Sequence, residues 1–240
     1  GDNVLNSATS GNSTAVGYRS ATSNTTGTND SFGYLSLLTN TTGTNNVAIG
    51  QSALYSNTTA SNNTAVGYQA GYANTTGSLT AVGYQALKAN TTGSNNVAVG
   101  FNSLLSNTTG NNNTAYGNQS LNDNTTGAYN TALGMQALIS NTTASSNTAV
   151  GYQAGKSLTG ASNVMIGYQA GENGYGYGSS SGTNNILIGY QATVGGGNTD
   201  SHEIVITTRG NAVAGKGSNT AFIDANGVSS YNGANTTTWA

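Results

Sequence analysis

Glycine returns along this chain at a near-constant interval, and no other feature restricts its fold so strongly. The positions are Gly17, Gly33, Gly50, Gly67, Gly83, Gly100, Gly117, Gly134, Gly151, Gly167 and Gly189, spaced by 16 or 17 residues until a final step of 22. A register held over so many repeats points to stacked, near-identical coils rather than a low-complexity tract. Each glycine closes an N-x-A-Φ-G unit. The pairs Asn46–Gly50, Asn63–Gly67, Asn96–Gly100, Asn113–Gly117, Asn130–Gly134 and Asn147–Gly151 define the repeat, and Asn163 and Asn185 hold the same place. Seven residues after the glycine comes Asn-Thr-Thr, beginning at Asn24, Asn40, Asn57, Asn74, Asn90, Asn107, Asn124 and Asn141. The one-residue slips fall between this triplet and the next unit, which marks a loop.

Alternation predicts a strand over segments such as Val47-Ala48-Ile49, with Val and Ile on one face and Ala on the other. The glycine then turns the chain, the YQAL segment reads as a second short strand, and Asn-Thr-Thr-Gly as a second turn. The fold class expected is all-β, a parallel β-solenoid or β-roll with coils of about 17 residues. Coils stacked roughly 4.8 Å apart would make a rod on the order of 50 Å long. The Asn four before each glycine is expected to point inward and bond to its copies above and below. A Val/Ile pair, a Leu and some Ala are expected inside as well, with an alanine face suited to close approach of another chain. So thin a core rarely stands alone, which predicts a homotrimer, intertwined or side by side. Residues 1–11 read as a lead-in and 12–200 as the repeat domain. Residues 201–240 read as a C-terminal β segment that breaks the period, with Asn226-Gly227 and Asn232-Gly233 as hairpin turns.

Charge limits what such a rod can bind. Only 5% of residues are charged and the net charge is −2. Arg19, Lys88, Lys156, Arg209 and Lys216 are scattered, so no nucleic-acid footprint forms. No stretch approaches the ~20 apolar residues of a membrane span, and the polar start GDNVLNSATSGNS does not read as a secretory signal. With no cysteine, disulfides and thiolate metal sites are excluded.

The N-x-A-Φ-G strand followed by x-x-A/S resembles the repeats in the heads of trimeric autotransporter adhesins, which form trimeric parallel β-rolls. The NTAVGYQAG…NTTG variant is more similar to bacteriophage tail-fibre proteins, particularly those of marine phages; the likeness covers roughly residues 12–194. The stretch SHEIVITTRGNAVAGKGSNTAFIDANGVSSYNGANTTTWA is similar to the segment preceding the endosialidase-type intramolecular chaperone of many phage fibres. That resemblance implies a chaperone cut away after Trp239-Ala240. It also implies an extracellular virion fibre that is homotrimeric, structural and receptor-binding, and attaches to a host-cell glycan or protein. A bacterial surface adhesin and an ice-binding solenoid are the alternative functions.

The chain is read as a non-enzyme without cofactor or metal. His202 beside Glu203 lacks the companions of a metal site or catalytic dyad. Asp200, Glu203 and Asp224 show no calcium-loop spacing, and Gly215-Lys216-Gly217-Ser218 lacks the frame of a phosphate loop. The Asn-Thr-Thr triplets have the form of glycosylation sequons but are read as turns. Tyr18, Tyr68, Tyr84, Tyr152, Tyr168 and Tyr190 follow the motif glycine and are expected to stack between coils. The insertion GENGYGYGSSSGTN marks the candidate receptor-binding loop, with Tyr175 and Tyr177 to stack on sugar rings and Ser179 and Ser180 to bond hydroxyls.

Overall fold

A computed structural model describes residues 13–172, 181–194, 200–208, 213–214, 218–225 and 228–232. The strands are Thr14–Val16 (β1), Asn29–Phe32 (β2), Asn46–Ile49 (β3), Thr64–Val66 (β4), Leu79–Val82 (β5), Asn96–Val99 (β6), Thr114–Tyr116 (β7) and Thr131–Leu133 (β8). They continue as Thr148–Val150 (β9), Val164–Ile166 (β10), Ile186–Ile188 (β11), Ala192–Thr193 (β12), Ile204–Thr207 (β13), Val213–Ala214 (β14), Ala221–Ala225 (β15) and Val228–Asn232 (β16). The described residues contain no helix. β1 to β11, β13 and β15 form one parallel sheet in which each strand pairs with the next coil's. The fold is therefore the expected parallel β-solenoid, with one strand per coil as far as β10. Register is strict: Ala48 pairs with Ala65, Ala65 with Ala81, and Ala98 with Ala115.

Two ladders of asparagine run through the interior. In the first, the Asn four before the glycine turns inward as expected. Its Oδ1 accepts the backbone N–H of its counterpart one coil on, as in Asn63 N to Asn46 Oδ1 at 3.0 Å and Asn130 N to Asn113 Oδ1 at 3.0 Å. Its Nδ2 donates to a turn carbonyl, as Asn113 does to Gly127 O at 2.9 Å. The second ladder is formed by the Asn of Asn-Thr-Thr. Asn107 Nδ2 donates to Asn90 Oδ1 at 2.8 Å and to Gly110 O at 3.0 Å, and Asn124 repeats both bonds. These side chains are fully buried. Water cannot satisfy the inward carbonyls of the turns, so the amides do.

An inward Asn decides the rest of the strand. Side chains alternate, so Asn46 and Ala48 share one face while Val47 and Ile49 take the other. Ala48 is fully buried and Ile49 is 40% exposed, and Asn96–Val99 repeats the pattern. This corrects the expectation of buried Val/Ile and an outward alanine face. Strand parity forbids both Asn and Val/Ile from pointing inward, and the narrow coil admits Ala where Val would overfill it.

The YQAL segment is not a second strand. Gln69 and Gly71 have φ of 53° and 60°, and Ser52 and Leu54 of 56° and 49°. Alternate left-handed residues curl the chain into successive turns whose N–H groups donate alternately to the coils below and above, as Ser52 N does to Tyr34 O and Leu54 N to Ala70 O. Leucine in this conformation is strained by about 1–2 kcal/mol. Complete burial of Leu54, Leu87, Leu104, Leu121 and Leu138 offsets that, since burying a leucine contributes about 1.5–3 kcal/mol. The motif glycine is required for two reasons. At Gly100 φ is 137°, and an added Cβ would stand 2.5 Å from Gly117 O.

Where glycine replaces the leucine, a neighbour fills the space. Gly71 lies under Leu79, which takes the usual place of Asn in β5; a Cβ on Gly71 would sit 3.4 Å from its Cδ1. Gly155 and Gly171 lie against Met165, which replaces the strand alanine. Leu158 takes the place of the Asn that would follow Asn141, and Asn141 Oδ1 is left buried without a partner.

The sheet does not stop at residue 200. β13 pairs with β11 and β15 with β13, all parallel, and Glu203 N donates to Asn185 Oδ1 at 2.9 Å as an Asn at that place would. Only then does direction reverse. β16 runs antiparallel to β15 in a register ending at Ala225↔Val228, so Asn226-Gly227 alone connects them. β12 and β14 form a small second parallel sheet. The lead-in 1–11 and the Asn232-Gly233 turn fall wholly or partly outside the described residues.

Truncating Asn107 to Ala should lower unfolding free energy by about 1–3 kcal/mol, because partners on two coils lose their bonds. Denaturant titration measures it. Leu79→Asn restores the prevailing residue of the repeat yet should destabilise by about 1–3 kcal/mol, the cavity over Gly71 outweighing the new amide bonds. Combining it with Gly71→Leu should recover most of that loss, a coupling that a double-mutant cycle reads directly.

Candidate functional site

Among the described residues, the outer face of the sheet carries about half of the exposed large apolar side chains. Strand residues Val16, Phe32, Ile49, Val97, Tyr116, Leu133, Ile166, Ile204 and Ile223 are each more than a third exposed. They lie in two rows, one residue and three residues before the motif glycine or its equivalent place, and the second row also holds Thr64 and Thr80 on successive coils and Thr114, Thr131 and Thr148 on three more.

Beside them runs the row that follows the glycine. Tyr68 stacks on Tyr84 at 5.2 Å between centroids, Tyr84 on Phe101 at 5.0 Å, and Tyr152, Tyr168 and Tyr190 continue at 5.1 Å per step. Tyr18 stacks on Tyr34 at 5.5 Å. The expected stack is therefore present, in three runs separated by Gln51 and by Asn118 and Met135. A second row, five residues after the glycine, holds the Tyr55–Tyr72 stack at 4.9 Å. It also holds the ion pair of Lys156 with Glu172 at 3.3 Å, a partly exposed pair worth at most about 1 kcal/mol.

A glutamine ladder was not anticipated. Gln136 Nε2 donates to Gln119 Oε1, Gln153 to Gln136, Gln169 to Gln153 and Gln191 to Gln169, at 2.7–3.1 Å. Its signal in the sequence is the recurrence of Gln two after the glycine, at positions 69, 85, 119, 136, 153, 169 and 191. On the turn side Thr59, Thr76, Thr92, Thr109 and Thr126 are exposed in register. The preceding threonines are tied to the next coil, as Thr108 Oγ1 is to Thr125 O at 3.0 Å.

The individually named candidates separate. Tyr175, Tyr177, Ser179 and Ser180 lie outside the described residues, as does Gly215-Lys216-Gly217. His202 is exposed with φ of 61° and takes the left-handed place held by Asn62, Asn112 and Asn184 in earlier coils. Glu203 is buried in an asparagine place and accepts the Thr220 hydroxyl at 3.2 Å. Asp200 accepts the Ser218 hydroxyl at 3.2 Å, and Asp224 is buried in β15. Among the described residues no three His, Cys, Asp or Glu side chains approach closely enough to hold a metal ion, and no helix is long and apolar enough to cross a membrane. Comparison with protein-family models, curated proteins and solved structures gives no match.

The sequon asparagines are the interior ladder. Asn57 Nδ2 is buried and bonded to Asn40 Oδ1 at 2.7 Å and to Ala60 O at 3.0 Å, so a sugar there would displace both bonds. Passed through a eukaryotic secretory pathway, the folded protein should carry no glycan at Asn57, Asn74, Asn90, Asn107 or Asn124. Intact-mass measurement before and after enzymatic deglycosylation checks this.

Proposed function

We propose that this chain is a structural and receptor-binding segment of a trimeric fibre, a bacteriophage tail fibre that attaches to a host-cell glycan or protein. The observation that supports it is the apolar outer face of the sheet. Nine strand residues, each 37–56% exposed, leave on the order of several hundred Å² of apolar surface in water, approaching the ~800 Å² per partner of a standard specific interface. A contiguous face of that size is what a second and third copy would cover. Three rods packed through Val, Ile, Leu and Phe would place the threonine-bearing turns outward, where weak contacts multiply across three chains. A bacterial surface adhesin would use the same geometry.

The exposed threonine rows favour ice binding as a second reading, since regular hydroxyls on a rigid face can order water. In the row three before the glycine Thr114, Thr131 and Thr148 follow one another, but Val97 and Val164 bound that run and the row beside it carries no threonine, which weighs against this reading. Thermal hysteresis in solution separates the two.

Light scattering should report a trimer. Ile49→Lys with Leu133→Lys should shift it to monomer and lower the melting temperature, whereas a stable wild-type monomer would refute the trimer. Purified trimer should compete with particles for host cells. Replacing Tyr175 and Tyr177 by Ala should reduce that competition without altering the oligomer.

A further inference from the structure

We propose that the stacked tyrosines are sites of oxidative cross-linking, at which peroxide couples neighbouring rings into dityrosine and ties successive coils together covalently. Tyr18–Tyr34 and Tyr55–Tyr72 stack likewise and should couple too, and the pairs read out in the test are Tyr68–Tyr84 and Tyr152–Tyr168–Tyr190. Their centroids are 5.1–5.2 Å apart and their planes 9–19° from parallel. Each ring is 37–45% exposed, so an oxidant reaches the phenol and the ring has room to turn.

The chemistry needs two phenols and a peroxide acting through a peroxidase. Each phenol loses one electron and its hydroxyl proton, giving two phenoxyl radicals. These join by a carbon–carbon bond between the ring positions next to oxygen, and the two ring hydrogens displaced there return to the oxygens. Peroxide takes up the two electrons and two protons and leaves as two waters. Radical pairing is limited by encounter, and the parallel register removes that limit by holding the partner ring one coil away. Competing reductants are few. The chain has 14 tyrosines against no cysteine, one tryptophan and two methionines, of which Met165 is buried. Met135 is exposed and diverts some peroxide to its sulfoxide without cross-linking.

Stacking, and not exposure, is what selects the sites. Tyr116 and Tyr129 are more exposed, at 56% and 65%, but their neighbours one coil away are Val99 and Leu133, and Asn112 and Ser146. The full chain would be treated with a heme peroxidase and hydrogen peroxide, then digested and mapped by mass spectrometry. The expected products are intrachain cross-links joining Tyr68 to Tyr84 and Tyr168 to Tyr152 or Tyr190. Their yield should be several-fold above that of any link containing Tyr116 or Tyr129. Tyr84→Phe should abolish the Tyr68 link while circular dichroism stays unchanged, because Phe101 already stacks in that row. Tyr168→Phe should remove both links on its run. Absence of dityrosine, equal yields at Tyr116 or Tyr129, links between chains only, or an unchanged yield in Tyr84→Phe would each overturn the proposal. The fibre reading is not needed for this result and does not fall with it.

Discussion

Buried amides, more than apolar contacts, set the geometry of this solenoid. A coil closed by one strand and a chain of turns directs backbone carbonyls into a space too narrow for water. Asparagine is short, with two donors and an acceptor that bonds both along the stack and across the coil. Each Asn therefore satisfies its own coil's turn and ties it to the next. In the asparagine ladders and the strand register the same bond recurs from coil to coil, so a defect costs its neighbours too, as the unpartnered Asn141 oxygen beside Leu158 illustrates.

Parity then carries that constraint to the surface. With Asn inward, strand alternation places alanine inside and the bulky aliphatic residues outside. The interior is correspondingly thin, and in most coils its larger side chain enters from the turn run. The leucines there occupy left-handed conformations that burial compensates, and repeats that use glycine instead recruit Leu79 or Met165 from the strand side. The repeats thus differ in sequence while conserving filled volume, as close packing requires.

What remains outside is a face of ordered rows. Strand aliphatics, stacked tyrosines, bonded glutamines and free threonine hydroxyls each form a line along the axis, because one coil's chemistry is copied by the next. Such a surface suits partners that are themselves repetitive or rod-like, which is why association with further copies is the reading favoured for the sheet face. The tyrosine rows sit beside that face, and their regular spacing gives them a reactivity that isolated surface tyrosines lack.

The repeat length, the strand positions, the inward Asn at its fixed place and the tyrosine stacking were all legible in the sequence, because each depends only on spacing and on alternation along the chain. The outward direction of Val47 and Ile49 follows by parity from the same inward Asn46, against the usual preference of bulky aliphatic side chains for the interior; that alanine suffices to fill the space between is decided only by the width of the closed coil. The second asparagine ladder and the glutamine ladder escaped for a related reason. Asn57 and Gln136 look like ordinary turn residues until the chain closes on itself and brings each beside its copy. Likewise the period seemed to end at residue 200 because Glu203 and Thr207 replaced Asn and Gly, yet the backbone pairing of β13 and β15 persisted through both changes. Spacing and parity along one chain determined the repeat and its faces; the closed coil, through its width and the demand that its inward carbonyls find donors, decided what fills the interior.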